Sequence, residues 1–230
     1  KATAIACSKM GATIVATGRN MQKLEATLAE LEGESNVIIS ADLTKPEDIE
    51  KISSVVPQLD GIVHCAGVGY RLPAKMITER DIEAVMNTNF SGTVLLQSGL
   101  LKKKKVNKDA SVVFVASKAA DFPSPGNALY SASKGALISY ARCLSIELAS
   151  RGIRVNCICP AMVWTDLIMQ NEVTEEQLKE SEKAYPLKRY GKPEDIAYLS
   201  IYLLSDASSW MTNSCIDITG GQISYEASVY

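Results

Sequence analysis

The chain has 230 residues, a formal net charge of −2 and 47% hydrophobic residues. This length and composition suit one globular domain with a buried core, and they argue against disorder. The small net charge provides no general attraction to nucleic acid or to an anionic membrane surface. No uninterrupted apolar segment approaches the roughly 18–20 residues that a membrane span requires. We therefore expect neither nucleic acid nor a membrane as a partner.

The cysteines and the histidine restrict the chemistry further. The six cysteines are scattered, include no Cys-x-x-Cys pair, and several lie inside apolar runs. This pattern indicates buried, reduced thiols in a cytoplasmic protein. His64 is the only histidine, which disfavours a zinc site or a Ser-His-Asp triad, so we expect no metal.

In chain order, apolar runs bounded by turn residues alternate with helical patterns. The runs predict strands at residues 13–17, 37–41, 61–65, 111–116, 154–159 and 215–218. The helical patterns cover residues 21–31, 46–56, 79–103, 129–150 and 193–205. Strands that are apolar throughout suit a parallel sheet covered on both faces. The sequence thus predicts one α/β domain over residues 1–230, with a doubly wound, Rossmann-type parallel sheet between two helical layers.

The first residues, Lys1 to Gly11, have the pattern of a helix with no capping residue before it. They lack the basic start, apolar stretch and cleavage site of a targeting peptide. Because a crossover helix must follow a strand, we expect a further strand upstream of Lys1.

Residues 162–190 form a polar, irregular stretch between the fifth predicted strand and the last predicted helix. A short helix is expected near residues 175–184. Insertions of this length are usually lids or binding loops, so we expect residues 162–190 to be the substrate-binding loop.

The strongest chemical signal is the motif Tyr130-Ser131-Ala132-Ser133-Lys134. A spacing of four on a helix places the Tyr130 phenol and the Lys134 ammonium on one face. A cation within roughly 4–6 Å favours the phenolate and lowers a tyrosine pKa from its usual value near 10. The pair therefore suits a general acid/base that interconverts an alcohol and a ketone. Ser117 ends an apolar run, at the strand edge where open α/β sheets bind ligands.

With these residues in this order, the chain resembles the short-chain dehydrogenase/reductase family. The catalytic serine of that family stands at the spacing seen here before a Tyr-x-x-x-Lys motif. Further family motifs follow in order: Cys65-Ala66-Gly67, Asn89-Phe90-Ser91-Gly92, Arg154-Val155-Asn156 with Pro160 and Thr165, residues 191–197, and residues 217–221. The resemblance covers the chain from Lys1 to Gly221, and it is specific because order and spacing both agree.

The resemblance implies hydride transfer between a nicotinamide dinucleotide and a carbonyl or secondary alcohol. Tyr130 would give its proton to the substrate oxygen during reduction, and Ser117 would donate a hydrogen bond to that oxygen. Lys134 would lower the pKa of Tyr130 and bind the nicotinamide ribose, and Asn89 would hold a water linking Lys134 to solvent. The residues expected to contact the cofactor are Tyr130, Lys134, Ala66, Gly67, Pro160, Val163 and Thr165.

The choice of cofactor depends on Thr17-Gly18-Arg19-Asn20. NAD enzymes place a carboxylate near this strand end to bind the adenosine ribose. Gly18 stands at that position here, and Arg19 follows, whose guanidinium can bind a 2′-phosphate through two hydrogen bonds. We therefore expect NADP(H) rather than NAD(H), the alternative being a solvated Arg19 and an enzyme that accepts either. Asp42 and Leu43 match the family's contact to the adenine ring.

Three departures from the family pattern stand out. The glycine-rich loop that binds the pyrophosphate is absent from these residues, and we expect it upstream of Lys1, since dinucleotide affinity depends on it. His64-Cys65 replaces the usual Asn-Asn, which removes a side-chain amide from the centre of the sheet. Ala161 replaces the glycine after Pro160, a change that only a positive φ would make costly.

The substrate remains open between several classes. One candidate is a 3-oxoacyl thioester, as in the reductases of bacterial fatty-acid synthesis; the four lysines at 102–105 and Arg151 could then dock an acidic acyl carrier protein. Sugars, sterols and small ketones are the alternatives. A different functional class is an inactive NADP(H)-binding sensor or scaffold of the same fold. The resemblance also implies a homotetramer assembled through the two long helices, with a dimer as the alternative.

Overall fold

The computed structural model describes residues 1–169 and 174–222. Its strands are β1 (Val15–Gly18), β2 (Val37–Ser40), β3 (Leu59–His64), β4 (Val106–Val115), β5 (Arg154–Pro160) and β6 (Cys215–Ile218). All these strands pair in parallel: β1 beside β2, and β3, β4, β5 and β6 side by side in that order. In the described part of the chain, no hydrogen-bonded ladder joins β1 to β3. The six predicted strands are all confirmed, although β4 begins at Val106 rather than at residue 111.

Helices cover both faces of the β3–β6 group. In chain order, the helices of the described residues are α1 (Ala2–Lys9), α2 (Met21–Leu28), α3 (Pro46–Val55), α4 (Glu79–Met86), α5 (Gly92–Lys102), α6 (Ala128–Leu148), α7 (Asp166–Met169), α8 (Glu175–Glu182) and α9 (Pro193–Leu204). Successive residues of β4 point to opposite layers: Val112 and Phe114 pack in the core with α5 and α6, whereas Val113 packs against α9. This confirms the predicted α/β class and its three layers. Within residues 1–169 and 174–222, no helix is both long and apolar enough to cross a membrane.

The helix predicted over residues 79–103 is interrupted by a π-helical turn at Asn87–Ser91, between α4 and α5. A π turn adds a residue to the helical repeat and rotates the side chains that follow it. Gly92 comes next, where a Cβ atom would lie 2.3 Å from the carbonyl oxygen of Leu43. Glycine is therefore required for α5 to approach the segment after β2. The apolar pattern continues through the turn, so it carried no signal of the interruption.

His64, which replaces a family asparagine, is a buried neutral side chain at the end of β3. Its ring stacks on Phe114 with centroids 4.7 Å apart, and its Nε2 lies 2.9 Å from the Gln97 side-chain oxygen. Burial lowers the pKa of His64 to about 4, while the hydrogen bond with Gln97 opposes that shift. Because Gln97 lies on α5, the replacement keeps a side-chain hydrogen bond between the centre of the sheet and that helix.

We expect His64 to make the protein less stable in mild acid. Its folded-state pKa lies below the unfolded value near 6.5, so the unfolded chain binds the proton more tightly. Its contribution is complete above about pH 6.5 and is lost as the pH falls towards 4, with a loss of about 2 kcal/mol at pH 5. Urea unfolding at pH 7.5 and pH 5.0 measures this, with His64→Gln as the variant that cannot titrate. An equal acid-induced loss in both proteins would contradict the prediction.

Candidate active site

Three predicted catalytic residues meet at the carboxyl end of β4. Ser117 follows that strand, and its hydroxyl accepts a hydrogen bond from the Ala119 amide at 3.1 Å, which caps a short 3-10 turn. Tyr130 and Lys134 lie in the first two turns of α6. Ser117 and Tyr130 line the same cavity, together with Lys134. The fold thus brings together a serine and a tyrosine that are thirteen residues apart in the sequence.

Lys134 is a buried cation beside the phenol. Its ammonium donates to the Val115 carbonyl oxygen at 2.9 Å and lies 5.9 Å from the centre of the Tyr130 ring. Burial lowers the pKa of Lys134 to about 8, and nearby cysteines oppose that shift. The predicted placement on one face of the helix agrees with this geometry.

The expected lowering of the Tyr130 pKa is not what the structure shows. Burial raises the pKa of the phenol, and the nearby Ser117 side chain only opposes that rise. The Lys134 ammonium donates to the Val115 carbonyl and lies 5.9 Å from the centre of the phenol ring, and its charge does not outweigh the effect of burial. Tyr130 is therefore a neutral phenol at pH 7, the form that can donate a proton.

Asn89 lies inside the π turn and is completely buried. Its side-chain oxygen accepts from the Val68 amide at 2.7 Å, and its amide group donates to the Val68 carbonyl and to the Ser133 hydroxyl, both at 3.0 Å. These bonds hold the segment after β3 against α6, one residue from Lys134. The predicted water relay through Asn89 stays a prediction, since its side-chain bonds are to protein atoms.

The predicted cofactor contacts near the nicotinamide lie at adjacent strand ends. Ala66 and Gly67 follow β3, and a Cβ atom at Gly67 would lie 3.2 Å from the Lys134 ammonium. Pro160 ends β5. Val163 forms a bridge with Gly191, and the Thr165 hydroxyl donates to the Val163 carbonyl at 3.3 Å. All lie at the carboxyl edge, where ligands bind in open α/β sheets.

The predicted adenosine contacts lie at the carboxyl ends of β1 and β2. Arg19 follows β1, and its charge helps to lower the pKa of Asp42, although hydrogen bonds from Thr44 are the larger cause. Those bonds, from the Thr44 amide at 3.0 Å and hydroxyl at 2.8 Å, occupy one Asp42 oxygen. Leu43 presents its carbonyl oxygen to α5 at Gly92.

Lys23 is a cation that sequence reasoning missed. It lies in the first turn of α2, after Arg19, and its ammonium is 2.6 Å from Asp166 at the start of α7. The ion pair joins α2, which follows the predicted adenosine contact Arg19, to the segment after Thr165.

One cavity of about 540 Å³ opens at the carboxyl edge. Seven predicted site residues line it: Gly67, Ser117, Tyr130, Lys134, Pro160, Val163 and Thr165. Its remaining surface is largely apolar and aromatic, with Phe122, Met162, Leu167, Ile168, Leu178, Tyr185 and Tyr190. The first turn of α1 also contributes. Arg19, Asp42, Leu43, Ala66 and Asn89 lie outside this lining.

The predicted substrate loop forms a small packed unit over the cavity. Ile168, Leu178, Tyr185 and Tyr190 are buried together, with Trp164 packed against them. Glu182 accepts hydrogen bonds from the Trp164 indole at 2.7 Å and from the Tyr190 amide at 2.8 Å. The short helix expected near residues 175–184 is present as α8. Residues 170–173 of this loop lie outside the described residues.

The basic segment at residues 102–105 lies at the opposite edge of the sheet. Lys103 pairs with Glu50 at 2.5 Å, and Lys105 donates to the Val56 carbonyl at 2.6 Å. Arg151 donates to the carbonyl of Val106, the first residue of β4. The β3–β4 register shifts between Leu59 and Gly61, so the stretch from Val106 to Phe114 spans only five residue steps of β3, roughly 17 Å at about 3.3 Å per residue, and Ser117 lies three residues beyond Phe114. The structure therefore does not bring these cations to the catalytic edge, which corrects the predicted docking site.

Comparison with known proteins assigns the family. The family model described as enoyl-(acyl carrier protein) reductase matches residues 1–222. The chain is 30% identical over 215 residues to the 3-oxoacyl-acyl-carrier-protein reductase FabG of Rickettsia felis, covering 94% of this chain and 88% of that protein. It is 31% identical to dehydrogenase/reductase SDR family member 4 of Pongo abelii, covering 92% and 78%. A Brucella melitensis crystal structure titled short-chain dehydrogenase/reductase, glucose/ribitol dehydrogenase superposes with a TM-score of 0.90 at 32% identity, covering 98% and 91%.

Proposed function

Because this chain belongs to the short-chain dehydrogenase/reductase family and is an NAD(P)-dependent oxidoreductase, we propose that it moves a hydride between NADP(H) and a carbonyl or secondary alcohol. The observation that carries the proposal is the convergence of Ser117, Tyr130 and Lys134 on one apolar cavity. Pockets of this kind, with a few polar groups in an apolar lining, bind small molecules.

The residues at the carboxyl edge fit a dinucleotide. Lys134 and the first turn of α1 line the cavity, and an ammonium group and a helix N-terminus suit ribose hydroxyls and phosphate. Gly67 leaves the space beside Lys134 that a side chain would fill. Arg19 and Lys23 supply positive charge at the adenosine end. The bound dinucleotide supplies or accepts the hydride.

The protein's own residues manage the proton and the developing charge. In reduction, Tyr130 gives its phenolic proton to the oxygen that accepts charge as the carbonyl carbon is reduced; in oxidation it takes that proton back. Ser117 donates a hydrogen bond to the same oxygen. Lys134 keeps a positive charge close to the phenol as it becomes a phenolate. The apolar lining excludes water and strengthens these interactions.

We expect Arg19 to set the preference for NADP(H). A hydrogen bond to a charged group contributes about 1.5–3 kcal/mol, equal to a factor of roughly 10 to 100 in affinity. Arg19→Met should therefore weaken NADPH binding by about that factor and leave NADH binding nearly unchanged. Fluorescence titration with both dinucleotides measures this, with the exposed Arg80→Met as a control. Equal weakening of NADPH and NADH would contradict a 2′-phosphate contact.

The substrate proposal remains a carbonyl compound with an apolar body. A 3-oxoacyl thioester is one candidate, supported by the printed function of the Rickettsia felis relative. An acyl carrier protein would then have to dock near the cavity mouth, since the lysines at 102–105 lie at the amino end of β4 and the cavity lies at its carboxyl end. Small aliphatic and aromatic ketones also suit the lining of Phe122, Leu167 and Tyr185.

The test is NADPH oxidation followed at 340 nm with three substrate sets: β-ketoesters and diketones, a 3-oxoacyl thioester, and the same acyl group on a carrier protein. Turnover of any set supports an active enzyme. Binding of NADPH without turnover of any would favour the inactive sensor or scaffold. Failure to bind either dinucleotide would overturn the proposal.

We also propose a homotetramer assembled through α5 and α6. Leu95 on α5 and Ile146 on α6 are apolar side chains with exposed fractions of 53% and 72%, as such an interface requires. Sedimentation equilibrium distinguishes a tetramer from the alternative dimer.

A further inference from the structure

Lys118 follows the serine at the catalytic edge, and its contacts join three segments around the cavity. Its ammonium lies 2.5 Å from Asp217 on β6 and 3.7 Å from Asp121. It also lies 4.4 Å from the centre of the Phe122 ring, a cation–π contact. Only 13% of the Lys118 side chain is exposed, unlike most ion-paired lysines of the described chain. Lys118 itself lines the cavity.

The first of these segments is the turn that carries Ser117. Lys118 begins the 3-10 turn Lys118–Ala120, which the Ser117 hydroxyl caps. The backbone carbonyl of Lys118 accepts from the Asp121 and Phe122 amides at 3.1 and 3.0 Å. A movement of Lys118 would therefore displace the serine hydroxyl and the Phe122 ring together.

The other anchor, Asp217, leads to the substrate loop. Asp217 lies opposite Cys159 in the β5–β6 register. Three residues later, the Gly220 carbonyl accepts from the Leu187 amide at 3.2 Å, and a Cβ atom at Gly221 would lie 2.8 Å from Pro186. The strand β6, whose Asp217 pairs with Lys118, is thus followed directly by residues that contact the end of the substrate loop.

We propose that Lys118 is a positioning residue, whose ammonium, held by Asp217 and Asp121 and covered by Phe122, fixes the Ser117 hydroxyl and the Phe122 side of the substrate cavity. This inference rests on the proposed oxidoreductase function for the role of Ser117. A partly buried ion pair between elements far apart in sequence is better suited to this than an exposed pair, which solvent screens. Misplacement of a reacting group by about 1 Å can cost on the order of 10²-fold in rate.

The test compares Lys118→Met, which keeps the stem and removes the charge, with Lys118→Arg and with the control Lys103→Met. Lys103 also forms a 2.5 Å ion pair, with Glu50, at the far edge of the sheet. We expect Lys118→Met to lower kcat roughly 10- to 100-fold, while NADPH affinity changes less than about twofold. Lys118→Arg should recover most of the loss, and Lys103→Met should show none.

Two further measurements separate positioning from simple stabilisation. The ratio of kcat/KM for an aromatic ketone to that for a small aliphatic ketone should change in Lys118→Met and in Asp217→Asn, because the Phe122 ring moves in both. Hydrogen exchange should increase in residues 117–122 and 185–187 and not near Lys103. The exchange measurement needs no turnover, so it tests the ion-pair network even if the proposed activity fails.

Loss of thermal stability in Lys118→Met with unchanged kcat, unchanged substrate ratio and unchanged exchange at residues 117–122 would overturn the inference. Should Lys118→Met fail to fold, Asp217→Asn carries the same comparisons, and its unchanged kcat and ratio would have the same meaning. Absence of NADPH binding or oxidation by the unaltered protein would instead count against the proposed function.

Discussion

Replacing Tyr130 with phenylalanine is expected to lower kcat by about 10³-fold or more while NADPH binding persists. Positioned general acid–base groups contribute roughly 10²- to 10⁴-fold. The phenol is half-buried, lies beside Ser117 in the cavity lining and has a raised pKa, so it is protonated at neutral pH. Phenylalanine keeps the ring and removes only the hydroxyl. Stopped-flow NADPH oxidation, with binding measured separately by fluorescence, gives both numbers.

The matched control for this substitution is Tyr140→Phe. Tyr140 lies on the same helix α6, and its ring packs against Phe90 and Phe114 in the core. Removing its hydroxyl should leave kcat within about twofold, because Tyr140 does not line the cavity. Comparable losses in the two variants would mean that the effect comes from α6 as a whole. Retained activity in Tyr130→Phe would remove Tyr130 from its proposed role.

Replacing Lys134 with methionine is expected to abolish most activity without lowering stability. The substitution removes the charge beside Tyr130 that stabilises a developing phenolate, a loss on the order of 10²- to 10³-fold in kcat. The pKa of Lys134 is lowered by burial to about 8, below the unfolded value near 10.5. The unfolded chain therefore holds this proton more tightly, so the buried charge reduces stability at pH 7, and this destabilisation is relieved as the pH rises from about 8 towards 10.5.

For a shift of this size the linked free energy is about 3 kcal/mol, an upper value for what methionine could restore. The hydrogen bond from Lys134 to the Val115 carbonyl is lost in the same step and offsets part of it. Thermal unfolding at pH 7 should show a melting temperature that is unchanged or higher, alongside the collapsed kcat. A marked fall in melting temperature would show that Lys134 is held mainly for structure.

The sequence alone was sufficient for the fold class and for the placement of Tyr130 and Lys134 on one face of a helix. Apolar runs without alternation indicate a parallel sheet buried on both faces, and Val112, Val113 and Phe114 of β4 are completely buried. Because the helical repeat is local, the spacing of four from Tyr130 to Lys134 places both side chains on one face wherever the helix lies. The order of the remaining motifs identified the family for the same reason: each depends on a short stretch of contiguous residues.

Only the tertiary structure decided what depends on contacts between distant segments. The apolar pattern records neither the π turn at Asn87–Ser91 nor the close approach of Gly92 to Leu43 that comes directly after it. The pKa of Tyr130 is raised rather than lowered because burial outweighs the other influences. The lysines at 102–105 lie at the wrong edge for a docking role because strand direction, not composition, sets which end of β4 they occupy. Lys118 has its role through Asp217, a partner 99 residues away that no local pattern could supply.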